Sequence, residues 1–401
     1  MTATRHDSAA TRRALNIAAL IAFSGAIFFR ALDPVILQIA GDFAVKPETA
    51  ALLAAAFAIP YGFIQPLLGP VADMVGKPRV MTIGVGVIVL TALGSALAPT
   101  FGSLFVMRIL AGAACGGAFP IAMALVGDLV PVEQRQVALG RLLFATITGT
   151  LLGSAVAGVI ADTLHWRAIF IVYGSVGLLA LAAAIVGFRT LPPISHQPFN
   201  LRALPARFRS IFANRNARIC YSSVALEGIF LFGIFPYVAI LLHAGGEDRA
   251  SIAGLVIGAF AGGGVIYAAT VRWTLPWLGQ RRMMQAGGGL IALGLLATAL
   301  TPSWPIQCVL FAMIGAGFYM LHGSILVFVT ELAPAMRSSG VAFHSFSFFG
   351  GQGIGPVVFG FGLTMLGAGP SLVISAGMLA MIGFAASRLL VRPHDAADPA
   401  A

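Results

Sequence analysis

Apolar runs of about 20 residues, separated by short basic or Pro/Gly-containing breaks, recur along the whole 401-residue chain. A helix of that length rises about 30 Å, the thickness of a bilayer's hydrocarbon core. With 59% hydrophobic residues, 9% charged residues and a mean hydropathy of +0.94, the composition lies outside that of a soluble domain. The chain reads as an all-α integral membrane protein. Spans are expected over 14–39, 49–71, 79–98, 102–127, 139–161 and 166–188, and again over 217–242, 250–271, 283–301, 305–330, 339–366 and 370–390. That makes twelve transmembrane helices in two six-helix bundles, residues 1–188 and 217–401, joined by a linker over 189–216.

Basic residues set the orientation, because loops rich in Lys and Arg stay on the cytoplasmic side. With both termini inside, 19 of the 24 basic residues fall on that side, from Arg5, Arg12 and Arg13 through Lys77, Arg79, Arg135 and Arg141 to Arg388 and Arg392. Lys46, Arg167 and Arg249 lie outside or near the outer ends, and Arg30 and Arg108 fall within spans. The formal charge of +10 thus follows from topology and from attraction to anionic lipid, and no nucleic-acid partner is expected.

The basic start and first apolar run differ from a secretory leader: the run is long, carries two charges and has no clear small-residue cleavage site. Cys115, Cys220 and Cys308 sit in apolar segments without disulfide or metal spacing, and the seven histidines are scattered. No phosphate-binding G-x-x-x-x-G-K-[ST] loop occurs, and no cofactor or metal is expected.

The two halves repeat. "GKPR" at 76–79 has a counterpart in "GQRR" at 279–282, and Asp128 and Pro131 match Glu331 and Pro334, all 203 positions later. At an offset of 202, Arg135 meets Arg337, and Gly149, Gly153 and Gly158 meet Gly351, Gly355 and Gly360. A solute site between two such bundles near mid-membrane is the expectation from parallel repeats.

The segment "GPVADMVGKPRV" fits the G-x-x-x-D-x-x-G-[RK]-x-[RK] pattern of the major facilitator superfamily at Gly69, Asp73, Gly76, Lys77 and Arg79. Over nearly its whole length the chain resembles a transporter of that superfamily, and "RILAGAACGGAFP" resembles the Arg-plus-glycine fourth span of its proton-coupled members. The resemblance implies a conformational gate at Gly69, Asp73, Gly76, Lys77 and Arg79, joined by Asp128, Arg135, Glu331 and Arg337 at the acidic/Pro/Arg ends of the fourth and tenth spans. In the branch of drug:proton antiporters the fifth span carries a glycine ladder with Gly-Pro at its middle. Here "GTLLGSAVAG" lacks the proline, while "GQGIGPVVFG" in the eleventh span has it.

Depth arithmetic then selects the buried charges. Asp33 in the first span and Arg108 in the fourth both lie roughly 9 Å below the outer edge, with Arg30 one turn deeper than Asp33. Charges inside a span face a protein interior or a water path. Arg30 and Asp33 therefore form either a structural ion pair or a coupling site in which Asp33 gains and loses a proton. Pro34 loosens the same turn, because its ring displaces the carbonyl of residue 30. In the second half Glu227 and His322 lie roughly 15 and 12 Å from the inner edge, close enough in depth to meet. Asp33, Glu227 and His322 are the candidate proton-coupling residues. Arg30, Arg108, Tyr61, Gln65, Tyr237 and His344 are candidates for a substrate cavity.

These features together lead to the expectation of a secondary transporter driven by protons, working by alternating access and exporting a small amphipathic or organic-cationic compound in exchange for protons. Uptake of an anionic solute on Arg30 and Arg108 is the alternative, and a non-transporting sensor or membrane enzyme is a third reading with no nucleophile and base motif behind it. The resemblance implies a cell-membrane location (the inner membrane if the source is Gram-negative) and function as a monomer. The lipid bilayer, protons and a small-molecule substrate are then its partners.

Overall fold

The computed structural model describes residues 3–190, 213–331 and 337–390, which are helical with no strand among them. They form two compact units, one within Met1–Phe199 together with Arg249–Gly254, the other within Asn200–Asp248 and Leu255–Ala401.

The first unit runs α1 (Ala3–Ile27), a 3₁₀ turn over Asp33–Val35, α2 (Ile36–Asp42), α3 (Pro47–Val75), α4 (Lys77–Ala96), α5 (Phe101–Gly116), α6 (Ala118–Leu129), α7 (Val132–Thr163) and α8 (Trp166–Gly187). The second runs α9 (Arg215–Phe230), a 3₁₀ turn over Phe232–Tyr237, α10 (Val238–Ala244), α11 (Ala250–Leu300, which starts in the first unit's segment), α12 (Trp304–Glu331), α13 (Arg337–Leu366) and α14 (Ala368–Leu389).

Ten described helical segments are long and apolar enough to cross a membrane. Two features separate that number from the twelve expected spans. The first expected span is split, since α1 has a basic start and ends at Ile27, and residues 28–32 form a turn and bends before the 3₁₀ turn. The eighth and ninth are read as one element, α11, whose 51 residues would rise roughly 75 Å, over twice a bilayer core. Gly279 interrupts that element with a φ of 70° and a ψ of 167°. Gly76, its counterpart 203 positions earlier, has a φ of 103° between α3 and α4. Only glycine adopts such backbone cheaply, so the repeated "GKPR" and "GQRR" segments begin on a turn that a side chain would strain.

Small residues set the packing, as expected where lipid supplies no hydrophobic drive between helices. A Cβ at Gly149 or Gly153 of α7 would press on the carbonyls of Phe23 and Ile27 in α1. Their mates in α13, Gly351 and Gly355, stand against the carbonyls of Ala225 and Ile229 in α9. Likewise Gly112 of α5 meets the carbonyl of Phe57 in α3, and Gly315 of α12 meets that of Phe260 in α11. The sequence repeat is therefore a repeat of contacts, and Gly351→Leu, which drives a side chain into backbone, should cost at least about 1–3 kcal/mol, read as a lowered melting temperature of the purified protein.

At one end of the first unit Asp42 accepts hydrogen bonds from the Trp166 indole and the Arg167 guanidinium, both at 2.8 Å, with His165 at 3.0 Å. Partial burial pushes the Asp42 carboxyl up, but these hydrogen bonds and the charges of His165 and Arg167 outweigh it and hold the group below its ordinary value of 3.8. Its contribution to stability is therefore complete above that value and is lost as the pH falls through the lowered one. Melting temperatures measured from pH 7 downward should fall more steeply in acid for the wild type than for Asp42→Asn.

Candidate functional site

The break after α1 brings the first unit's buried charges together. Arg30 and Asp33 are 5% and 2% exposed, and Arg30 Nη1 donates to Asp33 Oδ2 at 3.1 Å. The Arg30 guanidinium also lies 4.8 Å from the ring centre of Phe29. Arg108, fully buried on α5, turns to the backbone: it donates to the carbonyl of Phe28 at 3.2 Å and to that of Leu53 at 3.5 Å, and stacks 4.2 Å over Phe57. The contact of Arg108 with Asp33 that their depths allow is not among the hydrogen bonds of Arg108. The direct carboxylate partner is Arg30. Tyr61 packs on Phe29 and Phe57 at 5.5 and 5.9 Å, and Gln65 is buried one turn further along α3.

The gate motif is drawn into one cluster. Lys77 Nζ lies 2.9 Å from Asp73 Oδ1 and 2.7 Å from Asp128 Oδ2, tying the end of α3 and the start of α4 to α6. Arg135 on α7 donates to the carbonyls of Gly127 and Val130 at 2.7 and 2.9 Å, covering the acceptors left open at the end of α6. Gly69 lies inside α3, and Arg79 is exposed. The side chains of Glu331 and Arg337 lie outside the described residues.

In the second unit Glu227 of α9 is wholly buried and meets His322 of α12, with Nδ1 2.7 Å from Oε2. His344 of α13 is 4% exposed and sets its ring edge-on to His322 at 4.8 Å. Phe318 and Phe348 flank the His322 ring at 4.8 and 4.6 Å, and Phe232, in the break after α9, touches both phenylalanines. Among the described residues, the buried side-chain polar atoms without a hydrogen-bond partner are Glu227 Oε1 and His344 Nε2. Both belong to this one cluster. Tyr237 is 1% exposed and donates to the carbonyl of Pro356 at 2.8 Å, resting where Gly360 leaves room, so its hydroxyl is committed to helix packing.

The phenylalanines escaped the sequence reading. Phe318 and His322, and again His344 and Phe348, stand four apart on their helices and so share a face, a pattern that was visible in the sequence.

The family model described as "Major Facilitator Superfamily" matches residues 18–356. The chain belongs to the major facilitator superfamily. That family is one of multi-pass membrane transporters. It is 29% identical over 268 residues to the uncharacterized MFS-type transporter YfhI of Bacillus subtilis, covering 66% of this chain and 64% of that one. It is also 29% identical over 219 residues to a bicyclomycin resistance protein homolog of Haemophilus influenzae, covering 52% and 54%. The matches thus span between about half and two thirds of these relatives' own length. A solved structure of a bacterial homolog to the human lysosomal transporter Spinster aligns over 95% of this chain and 97% of that one with a TM-score of 0.74 at 17% identity, which speaks for the fold.

Asp33 and Arg30 supply a direct stability test. Removing one partner of a buried pair strands the other charge and typically costs about 3–5 kcal/mol, whereas replacing both with apolar groups is often close to neutral. Asp33→Asn should therefore lower the melting temperature more than the double change Arg30→Met with Asp33→Leu.

Proposed function

We propose that this major facilitator transporter exchanges protons for a small amphipathic or organic-cationic compound and exports it across the cell membrane (the inner membrane if the source is Gram-negative). In this reading twelve spans with both ends cytoplasmic form two bundles that alternate access as a monomer. The observation that carries it is the buried Glu227–His322 pair, walled by aromatic rings and left with an unpartnered carboxylate oxygen.

A buried carboxylate requires a proton, a cation or several hydrogen bonds, because an uncompensated charge at that depth is expensive. His322 meets that requirement with one hydrogen bond, and a proton held between Glu227 and His322 removes the net charge. An organic cation supplies the same compensation in a different form: its charge faces Glu227 and its apolar body lies against Phe232, Phe318 and Phe348, where aromatic faces attract cations. Proton and cation therefore compete for one carboxylate, and that competition is what an exchanger needs. His344 adds a polar contact to this site, and Tyr61 and Gln65 serve as cavity residues within the first unit. Asp33 takes a secondary part, exchanging Arg30 for a proton when the break after α1 is hydrated, and the Lys77–Asp73–Asp128 cluster holds one conformation until that exchange occurs.

Drug resistance in the name of the Haemophilus influenzae relative supports an exporter of amphipathic compounds. In the first unit Arg30 is engaged by Asp33 and Arg108 by backbone carbonyls, which speaks against an anion site there.

Purified protein in liposomes, with a trapped pH dye and an imposed pH gradient, tests the reading against a panel of organic cations and carboxylates. Cations should release the gradient in the wild type, and Glu227→Gln should abolish that release while leaving the protein folded. Release by anions alone, or cation-driven release that persists in Glu227→Gln, would overturn it.

A further inference from the structure

The two units carry matching clefts at the start of their first helices. In the second unit a cleft of about 400 Å³ lies between α9 and α14, with Arg215, Arg218, Ile219 and Ser222 on one side and Met381 and Leu389 on the other. In the first unit a cleft of about 390 Å³ is lined by Arg12, Arg13, Asn16, Ile17 and Leu20 of α1. Arg13, Asn16, Ile17 and Leu20 stand 202 positions before Arg215, Arg218, Ile219 and Ser222, the offset that also relates the glycine ladders. Gly187, which packs against Ile17 and Arg13 at the end of α8, stands the same distance before Leu389. The repeat has thus kept the cleft and one of its arginines, Arg13 matching Arg215, while the second arginine is Arg12 in the first unit and Arg218 in the second.

The linings fix the chemistry of the occupant. Each pairs two guanidinium groups with an apolar floor, and neither contains an acidic residue. The segment leading into α9, residues 189–216, has five arginines and no Asp or Glu, so it supplies nothing to neutralise Arg215 and Arg218. All four arginines are exposed. An occupant that satisfies both parts has an anionic head with several acceptor oxygens, matching the guanidinium fork, and an apolar tail.

We propose that these clefts are paired binding sites for an anionic phospholipid, whose phosphodiester is held by Arg215 and Arg218 in the second unit and by Arg12 and Arg13 in the first, and whose acyl chain lies along Ile219 and Leu389 or along Ile17 and Leu20. Basic pockets among membrane helices are suited to such headgroups. The sites lie on the first helix of each repeat, below the breaks at 28–32 and 231–237, so a bound lipid would brace the segment that leads into each buried cluster.

Native mass spectrometry of the purified full-length protein tests this, using phosphatidylglycerol and phosphatidylcholine of identical acyl chains. The wild type should retain two phosphatidylglycerol molecules with a preference of about 30-fold over phosphatidylcholine, the factor expected of two arginines near an anionic headgroup. Arg215→Gln with Arg218→Gln should lose one lipid and Arg12→Gln with Arg13→Gln the other. Because these arginines also direct insertion, Ala385→Trp is included: it keeps every charge, fills the α9–α14 cleft and should lose the same lipid as the Arg215/Arg218 change. Equal retention of both lipids, or two retained molecules in every variant, would overturn the proposal. Displacement of phosphatidylglycerol by inorganic phosphate at equal concentration would reassign the clefts to a free anion.

Discussion

The interaction on which the rest of this fold depends is the backbone hydrogen bond, because in a bilayer core no water replaces one that is lost. Both units nevertheless interrupt their first helix mid-way, at 28–32 and at 231–237. Each interruption is buried in protein, and a side-chain hydrogen bond to backbone accompanies each. Arg108 donates to the carbonyl of Phe28 inside the first break. In the second unit Tyr237, itself within the break, donates to the carbonyl of Pro356 on the neighbouring helix. Helices also approach closely at both breaks: Gly153 admits the Ile27 backbone, and Gly355 admits that of Gly233. Irregular backbone at such a depth is tolerated where neighbours re-satisfy it, and it gives the chain a local place to bend.

Repetition of the scaffold makes the differences between the units informative. Phe29 sets its ring edge-on to Phe57 at 5.7 Å, and Phe232 does the same to Phe260 at 5.5 Å, each residue 203 positions after its mate. Where the first unit then has Arg108 over Phe57, the equivalent position in the second is Phe311, which packs on Phe235. One scaffold carries a guanidinium and the other an aromatic ring. The second unit recovers polarity elsewhere, in Glu227, His322 and His344, so its polar cluster is enclosed by phenylalanines rather than by charges.

Much of this was legible in the sequence because it depends on spacing. Spans of membrane length, the paired turns at Gly76 and Gly279, and the glycine ladders all follow from periods that a sequence displays directly. The meeting of Glu227 with His322 was legible too, since depth along two helices needs only the rise per residue. Rotation about each helix was not. It decided that Arg108 meets carbonyls of Phe28 and Leu53 instead of the Asp33 carboxylate, and that the Tyr237 hydroxyl is spent on Pro356. The extent of the break after α1 was also beyond a local reading: Pro34 predicts one lost hydrogen bond, but five residues leave the helix, and a distant side chain, Arg108, takes the Phe28 carbonyl within the break.

The two buried clusters also differ in what they leave unfinished. In the first unit the Arg30 guanidinium has a carboxylate, a carboxylate has its guanidinium, and Arg108 has two carbonyls and an aromatic face. In the second, Glu227 Oε1 and His344 Nε2 are buried with no partner, although buried polar atoms are almost always paired. Each such atom costs about 1–3 kcal/mol. A closed ion pair gains nothing further from a ligand, so it can be maintained only as structure or broken as a gate. An open carboxylate oxygen and an open ring nitrogen gain from any donor that reaches them. Among the described residues the unpartnered buried polar atoms thus lie at Glu227 and His344, while the first unit's buried charges are already paired at its own helix break.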